Sequence, residues 1–188
     1  MKIGILALQG AFIEHASHIK KLNCEYVFVR NKEQLNDING LIIPGGESTV
    51  ISKLMVKKGL MEPIKEKILN GLPVWGTCAG LILLAKEVEN DIVPGIGVMN
   101  IKVRRNAYGS QIDSFKQYAI IKEVSNEEIP LVFIRAPYII DVGDNVKVLF
   151  KLDGNIVAAK ENNVLVTSFH PELTDSLEFH KYFLSMID

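Results

Sequence analysis

The sequence predicts an α/β fold in which a mostly parallel, doubly wound sheet has helices on both faces. Continuous apolar runs, of the kind found in parallel strands covered on both faces, recur along the first half of the chain. Amphipathic segments with helical period separate these runs, and glycine or proline marks most of the junctions. Because crossovers between parallel strands are right-handed, this order places helices on either side of one sheet.

Strands and helices alternate from the start of the chain. The apolar run Lys2–Leu8 predicts the first strand, and the amphipathic segment Ala11–Leu22 predicts the helix after it. Further strands are predicted over Cys24–Val29, Gly40–Ile43 and Pro73–Gly76. Further helices are predicted over Thr49–Lys58, Pro63–Asn70 and Leu81–Lys86.

The second half of the chain is rich in predicted strands separated by turn signals such as Asp153-Gly154-Asn155. An amphipathic helix is predicted over Asp175–Ile187. No Ser/Pro-rich linker divides the chain, so we predict one domain over residues 1–188 in which the later strands extend the same sheet. These strands are Val98–Arg104, Ser114–Glu123, Val132–Ile134, Tyr138–Asp141, Val146–Lys151, Ile156–Lys160 and Val164–Ser168.

Charge and composition exclude several classes of function. Lysine and arginine number 21 and aspartate and glutamate 22, so the net charge of −1 gives no reason to expect nucleic acid or a membrane as partner. No apolar stretch approaches the ~20 residues of a membrane span. The chain begins without the features of a signal peptide, so we expect a cytoplasmic protein. Two cysteines, Cys24 and Cys78, argue against a disulfide framework.

A Gly-x-Cys-x-Gly turn, Gly76 to Gly80, joins a predicted strand to the helix after it. Such a turn holds a nucleophile in a strained, exposed pose, and its glycines leave room for the neighbouring backbone. The start of the helix favours the thiolate of Cys78, and the N–H of Ala79 is placed to bind a developing oxyanion. On this motif alone, a catalytic cysteine and an ordinary cysteine at a βα turn are equally acceptable interpretations.

The base for such a nucleophile is predicted to be His170. It follows the apolar strand Val164–Ser168 and so reaches the same carboxyl edge of the sheet as Cys78. We expect extended backbone, held by Pro171, to point His170 and Glu172 the same way. These residues then form a nucleophile, a base and an orienting carboxylate. A surface or packing role is expected for the remaining histidines, His15, His18 and His180.

A glycine-rich loop, Pro44–Thr49, follows the strand Gly40–Ile43 and reaches the same edge. Paired glycines allow backbone N–H groups to approach a ligand, and the N–H of Gly46 is our candidate for the second oxyanion donor. A turn in which Ser48 or Thr49 caps the next helix is an open alternative. A phosphate loop is disfavoured, because no Gly-Lys-[Ser/Thr] follows.

Together these motifs resemble the class I (triad) glutamine amidotransferase family, and the resemblance spans nearly the whole chain. Within that family it is closest to the glutaminase subunits of pyridoxal 5′-phosphate synthase. It implies a flavodoxin-like fold with a mixed, mostly parallel sheet. The segments that support it are Leu8–His15, Pro44–Thr49, Gly76–Gly80, Val103–Asn106, Phe133–Pro137 and Thr167–Glu172.

The resemblance implies a glutaminase that converts L-glutamine to L-glutamate and ammonia through a Cys-His-Glu triad and a thioester. Its implied partner is the synthase subunit of pyridoxal 5′-phosphate synthase, which uses the ammonia in vitamin B6 biosynthesis. No cofactor and no metal are expected. The first βα turn, Gln9-Gly10, is expected to sense the docked synthase and to switch on the oxyanion hole. The residues that the resemblance assigns to the glutamine site are Gly46, Glu47, Ser48, Arg105, Ile134 and Arg135, with Arg105 on the α-carboxylate.

Other interpretations remain open from the residues alone. A cysteine peptidase or another amide hydrolase on the same fold would share the Gly-x-Cys-x-Gly turn. A non-catalytic flavodoxin-like binding module would hold Cys78 as an ordinary buried thiol. A glutaminase that feeds another synthase, such as imidazole glycerol phosphate synthase, is disfavoured by resemblance only, at Leu8–Gly10 and Gly46–Thr49.

Overall fold

The computed structural model describes residues 1–90, 94–105 and 114–187. Its helices are α1 (Phe12–Lys21), α2 (Ser48–Lys57), α3 (Met61–Leu69), α4 (Ala79–Leu84) and α5 (Glu178–Leu184). Its strands are β1 (Lys2–Leu6), β2 (Glu25–Val29), β3 (Gly40–Ile43), β4 (Val74–Thr77), β5 (Ala85–Val88), β6 (Met99–Arg104), β7 (Ser114–Ala119), β8 (Ile129–Ile134), β9 (Tyr138–Val142), β10 (Lys147–Leu152), β11 (Asn155–Glu161) and β12 (Val164–Thr167). Short 3-10 turns occur at Lys32–Leu35 and Pro171–Leu173.

Within the described residues, one ten-stranded sheet forms the centre of the fold, in the order β2-β1-β3-β4-β12-β11-β9-β6-β5, with β10 paired to β11. The neighbours from β2 to β12 are all parallel. Beyond β12, strands β11, β9 and β6 follow in antiparallel fashion, and β5 is parallel to β6. The predicted mixed, mostly parallel sheet is therefore confirmed, and its parallel part holds the strands that precede the predicted site segments.

The hairpin of β7 and β8 does not join this sheet, so the expectation that all the later strands extend it is wrong here. The two strands form a separate antiparallel sheet. Its inward side chains Ile129, Leu131 and Phe133 are buried, and the ring of Phe133 packs edge-on against Phe169. This apolar face holds the hairpin against the rest of the fold. The sequence pattern of such a strand is the same whether its apolar face covers the core or the strand joins a larger sheet, so the two cases could not be distinguished.

Several boundaries differ from those predicted. The predicted helix Leu81–Lys86 is instead α4 followed directly by strand β5, because Ala85 and the residues after it pair with β6. Strand β7 ends before the predicted Glu123, and α5 covers only the middle of the predicted Asp175–Ile187. Pairing with a neighbouring strand overrides helical propensity in such short apolar segments.

Two apolar layers cover the two faces of the central sheet. On one face α1 and α5 pack around Trp75, which is fully buried. On the other face, α2, α3 and α4 pack on the strand residues whose side chains point away from Trp75, such as Leu41 and Val74. Helices on both faces are thus confirmed. Within the described ranges, none of the helices has the length and apolar character needed to cross a membrane.

Candidate functional site

The carboxyl ends of β3, β4 and β12 meet at one edge of the sheet, because these strands are adjacent and parallel. Gly45 and Gly46 follow β3, Cys78 follows β4, and His170 comes shortly after β12. The side chains of Cys78 and His170 line the same cavity, and Cys78 is close enough to raise the pKa of the imidazole. The fold thus brings the predicted nucleophile and the predicted base into contact.

The backbone at Cys78 is strained, with φ 47° and ψ −98°, at the junction of β4 and α4. The glycines on either side are required by close packing. A Cβ on Gly80 would lie 2.1 Å from the carbonyl oxygen of Ile43, and one on Gly76 would lie 2.6 Å from the backbone of Gly80. The expected exposure is wrong, since Cys78 is only 7% accessible and its Sγ lies 4.0 Å from Ile134 O. The thiol faces a cavity and is shielded from bulk solvent.

His170 is held between the thiol and a buried carboxylate. Its Nδ1 lies 2.7 Å from Oε1 of Glu172, so Nδ1–H donates to the carboxylate and Nε2 is left for Cys78. The expectation of extended backbone through Pro171 is wrong. Pro171 begins a 3-10 turn, in which Leu173 N–H donates to His170 O at 3.2 Å. The fixed φ of proline suits the first position of such a turn, and the turn still brings the two side chains together.

Two opposing influences set the proton affinity of His170. Burial disfavours the charged ring, but the interactions of the ring with Cys78 and Glu172 favour it and outweigh burial. The net result raises the pKa of His170 from 6.5 to about 10. The ring is therefore an imidazolium at neutral pH, held between the side chains of Cys78 and Glu172.

Removing the thiol should lower the pKa of His170, because one of its two stabilising partners is lost. We expect the ring of His170, followed by NMR, to release its proton near pH 10 in the wild-type chain and at clearly lower pH in Cys78→Ala. Because the pKa is raised on folding, protonation of His170 stabilises the folded chain. This contribution to the free energy of unfolding is fully present below pH 6.5 and is lost as the pH rises through about 10. An unchanged titration in Cys78→Ala would contradict the influence of Cys78 on the pKa of His170.

The glycine loop after β3 is fastened to its surroundings by backbone hydrogen bonds. Gly45 N–H donates to Thr77 Oγ1 at 2.9 Å, and Gly45 O accepts the N–H of Ala11 at 3.0 Å. Glu47 N–H donates to the side-chain oxygen of Gln9 at 2.8 Å. A Cβ on Gly45 would lie 2.2 Å from the His170 ring, so only glycine fits against the imidazole. The first βα turn is thus in direct contact with the loop that contains Gly46.

A cavity of about 290 Å³ opens beside Cys78 and His170. All six residues predicted to bind glutamine line it, while Ala79 begins α4 and Glu172 lies buried behind His170. Gln9 and Ile82 also line the cavity, although the sequence did not single them out for this role. Asn106, part of the motif that contains Arg105, lies outside the described residues. The lining residues from the prediction are Gly46, Glu47, Ser48, Arg105, Ile134 and Arg135.

The lining has the charges that a free amino acid requires. Arg105 and Arg135 offer guanidinium groups suited to an α-carboxylate, and Glu47 offers a carboxylate suited to an α-ammonium group. Arg135 has φ 43°, so its backbone is held in the left-handed region next to Ile134. Such strain is common where a binding site fixes the backbone.

The three remaining histidines are all buried, which agrees with a packing role and excludes a surface one. His15 and His18 lie on α1 and His180 on α5, and the three rings are in contact beneath the sheet edge. The proximity of His15 to Glu172, with 3.5 Å between Nε2 and Oε2, was not predicted. The helical spacing of His15 and His18 places them near one another, but no sequence signal connects them with the end of β12.

The sequence from residue 5 to residue 188 matches the SNO glutamine amidotransferase family. The chain belongs to this family. It is similar to the pyridoxal 5′-phosphate synthase subunit PdxT of Clostridium acetobutylicum, with 58% identity over 186 residues that cover 99% of this chain and 100% of the relative. The subunit PdxT of Clostridium kluyveri is also 58% identical, over 185 residues that cover 98% of each chain.

Solved structures agree with this assignment. A crystal structure of a glutamine amidotransferase superposes with a TM-score of 0.93 at 41% identity and covers 98% of this chain and 97% of its own. The structure of PurLQS from Thermotoga maritima, with 15% identity over 99% of this chain and 96% of its own and a TM-score of 0.68, shares the fold. The predicted resemblance and the enzyme class are confirmed by family membership. The binding-module and peptidase interpretations are therefore set aside.

Proposed function

We propose that this chain is the glutaminase subunit of a pyridoxal 5′-phosphate synthase, with Cys78, His170 and Glu172 as its triad. The observation that supports this most directly is the position of Cys78 beside His170, which is hydrogen-bonded to Glu172, in a cavity that offers two arginines and a glutamate. The acceptor is proposed from the names of the relatives, which are subunits of that synthase and match this chain end to end.

Acylation begins with the thiolate of Cys78 attacking the side-chain amide carbon of L-glutamine. The developing oxyanion is bound by the N–H of Ala79, at the start of α4, and by the N–H of Gly46 in the glycine loop. The C–N bond then breaks, and the proton that His170 carries at neutral pH passes to the nitrogen, which leaves as ammonia. A thioester between Cys78 and the glutamyl group remains.

Hydrolysis of the thioester uses the same residues, with His170 now acting as a base where it acted as an acid before. His170 is now neutral and takes a proton from water, and the hydroxide attacks the thioester carbon. The C–S bond breaks, glutamate leaves, and the thiolate is again paired with the imidazolium. Glu172 holds the Nδ1–H of His170 at 2.7 Å through both steps, so Nε2 stays directed at the reacting atoms.

Glutamine is proposed to bind with its α-carboxylate on Arg105 and its α-ammonium group near Glu47. Gly46, Ser48, Ile134 and Arg135 complete the proposed contacts, since they line the same cavity as Cys78. A cavity of about 290 Å³ is large enough for one free amino acid.

Docking of the synthase is proposed to act through Gln9 and Gly10. The Gln9 side chain accepts a hydrogen bond from the Glu47 N–H, and a Cβ on Gly10 would lie 1.9 Å from Gly45 O, so any movement of this turn moves the glycine loop.

We also propose one catalytic domain over residues 1–188, since both halves of the chain contribute strands to the central sheet. The proposal also includes a cytoplasmic location, where the free thiols of Cys24 and Cys78 stay reduced.

Glutamate release from L-glutamine, measured for the purified chain with and without the synthase subunit, tests this function. We expect release to rise when the synthase subunit is added, because docking rearranges the loop that contains Gly46. Equal release by the isolated and the complexed chain would contradict the proposed role of Gln9 and Gly10. No release in either state, from folded protein, would contradict the glutaminase itself.

A further inference from the structure

A buried histidine cluster lies directly behind the proposed triad. His15 and His180 are fully buried, and His15 Nδ1 lies 3.0 Å from His180 Nε2. The ring of His180 stacks on that of His18, with centroids 4.5 Å apart. The other nitrogen of His15, Nε2, lies 3.5 Å from Oε2 of Glu172. The cluster therefore reaches the carboxylate oxygen that His170 does not use.

The second oxygen of Glu172 needs a donor. Oε1 accepts from His170, but Oε2 is buried, and no group within the described ranges meets hydrogen-bond geometry with it. A buried carboxylate oxygen without a donor destabilises the ionised form, which the triad requires. At 3.5 Å, His15 Nε2 needs only a small movement of its ring to become that donor. Catalytic hydrogen bonds are often long before substrate binds.

The orientation of the protons follows from the neighbours of each ring. Nδ1 of His180 is buried without a hydrogen-bond partner in the described structure, so it is best left unprotonated, with the proton of His180 on Nε2. That Nε2–H then donates to Nδ1 of His15, which places the proton of His15 on Nε2. The opposite arrangement would bury an unpaired N–H on His180 and turn the lone pair of His15 towards a carboxylate oxygen.

His15 and His180 are held in the neutral form that this arrangement needs. Burial lowers the pKa of His15 well below its ordinary value, and the positive charge of His170 lowers it further. Burial likewise lowers the pKa of His180, with a smaller contribution from the charge of His18. A neutral His15 offers Glu172 a donor without adding a second positive charge that would compete with His170.

Thr77 shares the same nitrogen of His15. Its Oγ1 lies 3.3 Å from His15 Nε2 and accepts the N–H of Gly45 at 2.9 Å. The Nε2–H of His15 therefore faces one neutral and one ionised acceptor. A hydrogen bond to the ionised acceptor is the stronger of the two.

We propose that His15 is a positioning residue of the triad, whose neutral Nε2–H donates to Glu172 Oε2 while His180 fixes its tautomer. This inference rests on the proposed glutaminase function and adds to it a residue outside the triad. Glu172 is then held at both oxygens, by His170 on one side and by His15 on the other. The carboxylate cannot rotate away from His170 without breaking the second contact.

Two substitutions at His15 test the N–H donor. His15→Leu removes it, and we expect kcat for glutamate release by the complex to fall about 10- to 100-fold, the range for loss of one hydrogen bond to a charged group, with KM unchanged. His15→Gln keeps an amide N–H where Nε2 lies, and we expect it to restore most of kcat. An undiminished kcat in folded His15→Leu would overturn the proposal, as would a His15→Gln variant no better than His15→Leu.

A double-mutant cycle separates this role from a merely structural one. If His15 acts through Glu172, adding His15→Leu to Glu172→Gln should change kcat by less than about twofold. Independent, multiplying losses would overturn the proposal. Phe183→Leu is the matched control, since Phe183 is fully buried and packs on Trp75 with ring centroids 5.8 Å apart. It should lower the unfolding temperature and leave kcat unchanged.

A second measurement does not depend on glutamine turnover. The rate at which iodoacetamide alkylates Cys78, followed by mass spectrometry with Cys24 as an internal reference, reports the thiolate–imidazolium pair. We expect alkylation of Cys78 to slow in His15→Leu and not in His15→Gln. If the chain fails to release glutamate but this pattern holds, the proposed function fails and the role of His15 stands. If glutamate is released and both His15 variants alkylate at the wild-type rate, the role of His15 fails.

Discussion

Glutamate release is expected to fall at least about 10⁴-fold when Cys78 is replaced by alanine, in the chain alone and with its synthase. Without the thiol no thioester forms, and His170 loses one of the two groups that raise its pKa. Steady-state assays of glutamate measure the loss. Alanine and cysteine meet the same strain at φ 47°, so the unfolding temperature should change little.

Cys24→Ala is the matched control for this experiment. Cys24 lies next to β2, is partly buried, and has its Sγ 3.7 Å from the carbonyl oxygen of Leu22. It is far from the cavity in the sheet order, since β2 is an edge strand. We expect its replacement to leave glutamate release unchanged. Substantial turnover by Cys78→Ala, or loss of turnover in Cys24→Ala, would contradict the proposed nucleophile.

Gly80→Ala is expected to destabilise the fold by roughly 3 kcal/mol, and to disturb the site as well. The added Cβ would lie 2.1 Å from the carbonyl oxygen of Ile43, an atom of the β3 backbone that cannot rotate aside. Helix α4 must therefore move away from β3 and take Cys78 and Ala79 with it. Urea denaturation followed by circular dichroism measures the change in the free energy of unfolding.

Gly59→Ala provides the comparison, because Gly59 has φ +64° and open space where its Cβ would lie. That substitution should cost about 1 kcal/mol, from backbone conformation alone. Comparison of the two variants separates the free-energy cost of a steric clash with the backbone, at Gly80, from that of a residue with a side chain in the left-handed conformation, at Gly59. A Gly80→Ala chain as stable as Gly59→Ala would mean that α4 can shift freely, which would contradict the tight packing of Gly80 against the carbonyl oxygen of Ile43.

The parallel half of the fold could be predicted from sequence because its signals are local. Most of the apolar runs end close to a glycine or proline, and the order of strands and helices then leaves few topologies. Cys78 could be predicted for the same reason, since a glycine on either side of it marks the turn. The prediction of His170 required one further inference, namely that the carboxyl ends of parallel strands lie at the same edge of the sheet.

Features set by contacts between distant segments could not be predicted. The residues Ala85 and Lys86 read as the end of a helix, and only pairing with β6 makes them a strand. The hydrogen bond from Glu47 to Gln9 joins two loops that no short motif connects. The same holds for the contact of His15 with Glu172, which depends on how α1 packs beneath the end of β12. The roles of the cavity residues rest on the family resemblance, because an arginine alone does not specify its ligand.

The position of β12 in the sheet has a consequence for biosynthesis. It is the final strand in chain order, yet it lies between β4 and β11 near the middle of the sheet. A nascent chain that has left the ribosome only as far as β11 holds the thiol of Cys78 but lacks His170 and Glu172. Its sheet also has an unfilled gap, with exposed strand edges on both sides. Such a chain lacks the proposed base and its orienting carboxylate, and its open strand edges favour aggregation until β12 inserts.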